Sequence, residues 1–163
     1  MGDETDVMGG MNTKQRVLIV EDEIVVALFL EDVLDECGYQ VAGVVAHLDE
    51  AMAREPDYDI AVLDVHINGR NVFDFADQLG GRGIPFVFAT GYGERGIPER
   101  HRGRPVLQKP FQPDDLKRIL EEIRRLERWP QRPKHQRRLN RALRRPPVRS
   151  RGRPASRRSQ GRR

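Results

Sequence analysis

Arg16-Val-Leu-Ile-Val-Glu-Asp-Glu23 runs four apolar residues, Val17 to Val20, straight into three carboxylates. A short unbroken apolar run has no amphipathic period. It suits a strand covered on both faces, and such strands belong to parallel sheets flanked by helices. Working outward, Ile24 to Cys37 places Val26, Leu30, Val33, Leu34 and Cys37 at helical spacing, with Gly38 as a stop. Tyr39 to Ala46 is β-branched and small, Asp49 to Glu55 is a short polar helix closed by Pro56, and Tyr58-Asp-Ile-Ala-Val-Leu63 is a second buried strand ending at a carboxylate, Asp64. A turn at Gly69 leads into Asn71 to Leu79, where Val72, Phe75, Ala76 and Leu79 recur at helical spacing. Ile84-Pro-Phe-Val-Phe-Ala89 is a strand ended by Thr90. Residues 91 to 104 hold four glycines and one proline, which predicts a long loop in place of a helix. Pro105 to Gln108 is the last strand, ended by Lys109-Pro110. Pro113 then opens a helix with Asp114 and Asp115 in its first turn and Leu116, Ile119, Leu120, Ile123 and Leu126 on one stripe. Five strands alternating with four helices predict an α/β domain, a doubly wound five-stranded parallel sheet.

The 163 residues carry 29 Lys+Arg against 25 Asp+Glu, a near-balance that conceals a division. Residues 130 to 163 contain 14 basic residues and no acidic one, leaving 15 basic against 25 acidic in residues 1 to 129. The expected organisation is a flexible lead over 1–14, one domain over 15–129, and a disordered Arg/Pro-rich tail over 130–163. A domain of about 130 residues can bury a core without disulfides or metal. The single cysteine, Cys37, excludes an internal disulfide and fits a reducing compartment. No apolar run reaches the roughly 18 residues of a membrane span. The acidic start MGDETDVMGG lacks the order of a secretory signal. These features predict a cytoplasmic protein with no membrane contact. The tail has no aromatic residue after Trp129 on which a base could stack, so it predicts at most nonspecific polyanion binding. An alternative reading makes that binding, to nucleic acid or another polyanion, the protein's function.

In open sheets of this kind ligands bind outside the carboxyl ends of the strands, which brings Glu21, Asp22, Asp64, Thr90 and Lys109 into one crevice. Adjacent carboxylates repel unless a cation intervenes, and an oxygen-rich site with free water positions suits Mg²⁺. One oxygen of Asp64 then remains free as a nucleophile, while Mg²⁺, Lys109 and Thr90 neutralise three equatorial oxygens of an in-line phosphoryl transfer. The product is an aspartyl phosphate. Like-charge repulsion in such a site also predicts that Asp22→Ala or Asp64→Asn stabilises the metal-free protein. A phosphatase of the haloacid-dehalogenase type needs a second Asp two residues after the nucleophile, where this chain has Ile24 or His66. A dinucleotide-binding enzyme needs glycines where it has Glu21-Asp-Glu23.

From about Arg16 to Leu126 the chain resembles a response-regulator receiver domain, a flavodoxin-like fold. The resemblance rests on Val17-Leu-Ile-Val-Glu-Asp-Glu23, Asp59-Ile-Ala-Val-Leu-Asp64 with Gly69 five residues on, and Lys109-Pro110-Phe111. It implies that Asp64 is phosphorylated and that Asp22, with Glu21 acting through water, binds Mg²⁺. It further implies that the backbone carbonyl of His66 is a ligand and that Thr90 and Lys109 contact the phosphoryl group. Pro85-Phe-Val-Phe-Ala-Thr-Gly-Tyr92 is similar to the strand-four motif of a subgroup of stand-alone receivers whose fourth helix is replaced by a mobile loop. Two residues before the lysine, where the resemblance implies Tyr or Phe, stands Leu107, and Tyr92 is the nearest replacement. The implied function is a phospho-accepting receiver without an output domain and not a dedicated enzyme. Its implied partners are a sensor histidine kinase or phosphotransfer protein and a downstream signalling protein.

Overall fold

The computed structural model describes residues 14–125. The tail expected over 130–163, the lead before Lys14 and the stripe residue Leu126 lie outside the described residues. The chain runs β1 (Arg16–Val20), α1 (Ile24–Glu36), β2 (Gln40–Val45), α2 (Leu48–Ala53), β3 (Ile60–Asp64), β4 (His66–Ile67), β5 (Arg70–Asn71), α3 (Phe73–Gly81), β6 (Phe86–Thr90), β7 (Val106–Gln108) and α4 (Pro113–Arg125). Five strands form a sheet in the order β2-β1-β3-β6-β7, and every neighbouring pair is parallel.

The unbroken apolar runs are explained by what covers each face. Successive side chains of a strand point to opposite sides. Val17, Ile19, Val62, Val87, Ala89 and Leu107 therefore pack with residues of α1 and α4, among them Leu30, Leu34, Leu116 and Leu120. Leu18, Val20, Leu63, Phe86 and Phe88 pack on the other side with Leu48 of α2 and Phe75 and Leu79 of α3. From β1 the chain steps outward to β2 and then returns to β3 on the far side of β1. The two crossovers diverge, which leaves a crevice at the carboxyl ends of β1 and β3.

Two elements differ from the periodicity reading. Asn71 belongs to a β-hairpin, β4–β5, and the helix expected from Asn71 starts at Phe73. The cause is the Asn68-Gly69 dipeptide, whose φ values of 49° and 76° make the tight two-residue turn that pairs His66 with Asn71. Residues 91–104 contain no α-helix, as expected, but they are not featureless: 3₁₀ turns form at Gly93–Gly96 and Glu99–His101. Within this segment only Ile97 and His101 are buried.

Candidate functional site

The parallel register delivers the expected residues to one end of the sheet. Glu21 and Asp22 follow β1, Asp64 ends β3, Thr90 ends β6 and Lys109 follows β7. Asp64 sits in register with Ala89, one residue before Thr90, and Thr90 with Gln108, one residue before Lys109. Glu21, Asp64 and Thr90 are all buried, and the two carboxylates among them call for a charged partner.

Lys109 supplies the compensation. Its Nζ lies 2.9 Å from Glu21 Oε2 and 3.3 Å from Asp64 Oδ2, with Glu23 Oε1 at 3.8 Å. Glu23 is thus a further carboxylate of this cluster. Burial pushes the Glu21 carboxyl above its ordinary value and the Asp64 charge adds to that, outweighing the hydrogen bonds from Lys109 and the Glu23 backbone N–H. Burial works against the Lys109 ammonium too, but the Glu21 hydrogen bond and the Asp64 charge prevail and hold it above the usual lysine value. The repulsion expected at Asp22 and Asp64 is therefore partly offset at Asp64, and the carboxylate carrying the net penalty is Glu21.

One ligand atom each from Glu21, Asp22 and Asp64 can be chosen so that all lie within 4.8 Å of one another. An all-oxygen donor set this compact, open on its Asp22 side, fits a hard divalent cation such as Mg²⁺. Two backbone groups orient it. The N–H of Asn68 donates to Asp22 Oδ2 at 2.8 Å, and the N–H of His66 donates to Asp64 Oδ1 at 3.3 Å. Asn68 also donates from its side-chain amide to the carbonyl of Ala46 at 2.7 Å, tying the hairpin to the end of β2. Sequence reasoning missed Asn68 as a positioning residue, although the Asn-Gly dipeptide was its signal. The His66 side chain points to solvent and touches the Tyr92 ring edge-on at 6.0 Å between centroids.

Thr90 Oγ1 accepts a hydrogen bond from the Tyr92 N–H at 3.1 Å, which leaves the hydroxyl hydrogen free to donate. Tyr92 is 74% exposed, so its ring takes no place in the sheet. Leu107 stands in register with Ala89 and faces α1 and α4, on the side of the sheet away from Thr90. The strand position that shares the Phe88 and Thr90 face is Val106, and Gln108 beyond it donates to the carbonyl of Gly91 at 3.1 Å. No aromatic side chain on β7 can follow Thr90.

No family model matches the chain. It is similar to SdrG from Sphingomonas melonis Fr1, with 40% identity over 68% of this chain and 97% of that one and a TM-score of 0.62. The receiver domain of the sensor histidine kinase PA1611 from Pseudomonas aeruginosa PAO1, a structure with a magnesium ion coordinated in its active-site cleft, is 28% identical. That match covers 67% of this chain and 96% of the other, with a TM-score of 0.57. The transcriptional regulatory protein PdtaR of Mycobacterium tuberculosis is 33% identical over 108 residues, 63% of this chain and 53% of its own length. The chain thus spans about half the length of these curated relatives.

Proposed function

This chain belongs to the receiver domains of two-component response regulators, and from that we propose that it is a phospho-accepting signalling protein whose acceptor is Asp64. The observation that carries the reading is the meeting of Asp64 with Glu21, Asp22, Thr90 and Lys109 at the carboxyl ends of four parallel strands. The receiver unit is the region 15–129. Glu21, Asp22, Asp64 and the backbone carbonyl of His66 would hold Mg²⁺, which when bound neutralises charge on the acceptor and on phosphoryl oxygens.

The chain's own groups divide the remaining work. A free oxygen of Asp64 attacks phosphorus in line as the P–N bond of a phosphohistidine breaks and its electron pair returns to the donor's imidazole nitrogen. The Lys109 ammonium, already 3.3 Å from Asp64, is placed to pair with a phosphoryl oxygen. The Thr90 hydroxyl, fixed by the Tyr92 N–H, donates to another. A sensor histidine kinase or phosphotransfer protein is the donor, and output passes through a downstream protein in the cytoplasm. No helix among the described residues is long and apolar enough to cross a membrane. The Phe88-Ala-Thr-Gly-Tyr92 motif and the absence of an α-helix in the described residues 91–104 support the stand-alone subgroup.

A protein donor needs a docking surface, and α1 offers one. Ile24, Val25 and Leu28 are exposed, and Phe29, partly exposed, meets Phe111, two residues past Lys109, in a tilted contact at 5.6 Å between centroids. This apolar rim begins directly after Glu21-Asp-Glu23. Leu28→Asp and Val25→Asp should each slow phosphotransfer from a cognate kinase by about tenfold or more, the effect of removing an interface anchor. Labelling by acetyl phosphate, which needs no docking, should be unchanged. Equal slowing with both donors would show that α1 acts through the pocket instead.

The site itself is tested by intact-mass measurement after acetyl phosphate treatment with and without Mg²⁺. One added phosphoryl group that requires the metal is expected.

A further inference from the structure

Of the two buried residues in the segment between β6 and β7, His101 is the deeper, 4% exposed. Three phenylalanines enclose its ring. Phe88 and Phe86 lie edge-on at centroid distances of 5.5 and 6.0 Å, and Phe73 stacks at 6.1 Å. Its Nε2 stands 2.9 Å from Asp77 Oδ1 on α3, and the Phe73 backbone also faces the ring. Asp77 is also engaged elsewhere, accepting from Arg100 Nε at 3.2 and 3.1 Å. The guanidinium groups of Arg100 and Arg104 sit over the outer rings of the cage, 6.0 Å from Phe73 and 5.2 Å from Phe86. An aromatic ring in such a cage packs well while neutral. A charged one gains the Asp77 carboxylate but is desolvated and faces the charges of Arg100 and Arg104.

We propose that His101 is a proton-sensitive latch: the neutral ring docks residues 97–104 onto β6 and α3, and protonation releases them. The charged groups facing the ring act in both directions. Burial is the largest influence and opposes protonation. Asp77 favours the charged ring, Arg100 and Arg104 oppose it and the Phe73 backbone favours it, while β6 contributes only uncharged phenylalanines. Together they hold the imidazole below its ordinary value of 6.5. The docking contribution is therefore complete above pH 6.5 and is lost as the pH falls through 6.5 toward the lower value of the docked ring. Phe86 and Phe88 lie on the strand that ends in Thr90, so the latch and the hydroxyl contact to a phosphoryl group bear on the same segment. The proposal rests on the packing and the charges around His101 and stands whether or not Asp64 accepts phosphate.

Amide hydrogen exchange of residues 97–104 in the full chain, corrected for intrinsic rates, measures the opening. Between pH 7.5 and 5.5 the opening population should rise by up to about tenfold, the limit for an open-state imidazole that titrates near 6.5. His101→Phe should keep the segment docked and abolish the dependence, whereas Asp77→Asn should steepen it. Should His101→Phe fold poorly, NMR titration of the wild-type imidazole gives the answer directly, with a midpoint below 6.5 expected. A midpoint above 6.5, or protection that increases on acidification, would overturn the proposal, because Asp77 would then be a stronger influence than burial. So would the same pH dependence in His101→Phe.

Discussion

Asp64→Asn should reduce phosphate incorporation to background with acetyl phosphate and with a cognate phospho-kinase alike, while leaving the fold intact. Asparagine matches the carboxylate in shape, and its amide can still accept the His66 N–H that reaches Asp64 at 3.3 Å. What it loses is the anionic oxygen that attacks phosphorus, which no neighbour can supply. Glu21 is more deeply buried than Asp64, 2% against 8% exposed, and among the described ion pairs none joins Asp22 to Lys109, the ammonium placed to meet the incoming phosphoryl group. Peptide mapping of the labelled wild type should find one site. Undiminished labelling of Asp64→Asn, or a second labelled carboxylate in the wild type, would sink the assignment.

Lys109→Met should destabilise the metal-free protein by about 3 kcal/mol, the usual cost of stripping one partner from a buried ion pair. The lysine side chain is 18% exposed and its partners less so, Glu21 at 1% and Asp64 at 11%, so solvent can take over little of its role. For a domain of this size that loss corresponds to a melting temperature lower by about 10–20 °C. The deficit should shrink on acidification. The Glu21 carboxyl is held above its ordinary value of 4.5, so its protonated form favours the folded state. That contribution is full below pH 4.5 and is lost as the pH rises through the raised value. Mg²⁺ should restore more stability to Lys109→Met than to the wild type, because a bound cation compensates the same carboxylates. Thermal melts at pH 5 and 7.5, with and without Mg²⁺, measure all three effects. An unchanged melting temperature at pH 7.5 without metal would mean that Lys109 does not hold the carboxylates together in solution.

A companion variant separates repulsion from pairing. Glu21→Gln removes the carboxylate whose charge carries the net penalty and should stabilise the metal-free protein at pH 7.5 while weakening its response to Mg²⁺. The expectation drawn from the sequence placed that gain at Asp22 and Asp64. Glu21 and Asp64 both contact Lys109, so melts of Asp22→Ala, Asp64→Asn and Glu21→Gln side by side decide where the gain falls.

The five-stranded sheet, its helices and the identity of the candidate acceptor residues were legible in the sequence, because the forces that set them are local. Val17 to Val20 and Ile60 to Leu63 are apolar at every position since both faces of the sheet are covered. A carboxylate, a hydroxyl or an ammonium at the end of a strand shows itself by interrupting such a run. Four glycines in residues 91–104 rule against a helix by backbone entropy alone. Tertiary structure decided what depends on residues distant in the chain. Lys109 reaches Glu21 across 88 positions, and Asn68 caps Asp22 across 46. Strand register turns Leu107 away from Thr90 and sets Val106 on its side. His101 looks like one polar residue in a polar loop, and only the packing of Phe73, Phe86 and Phe88 around it makes a proton there costly. Spacing along the chain carries the period of each element, whereas desolvation and pairing depend on which elements meet, and that is set when the sheet assembles.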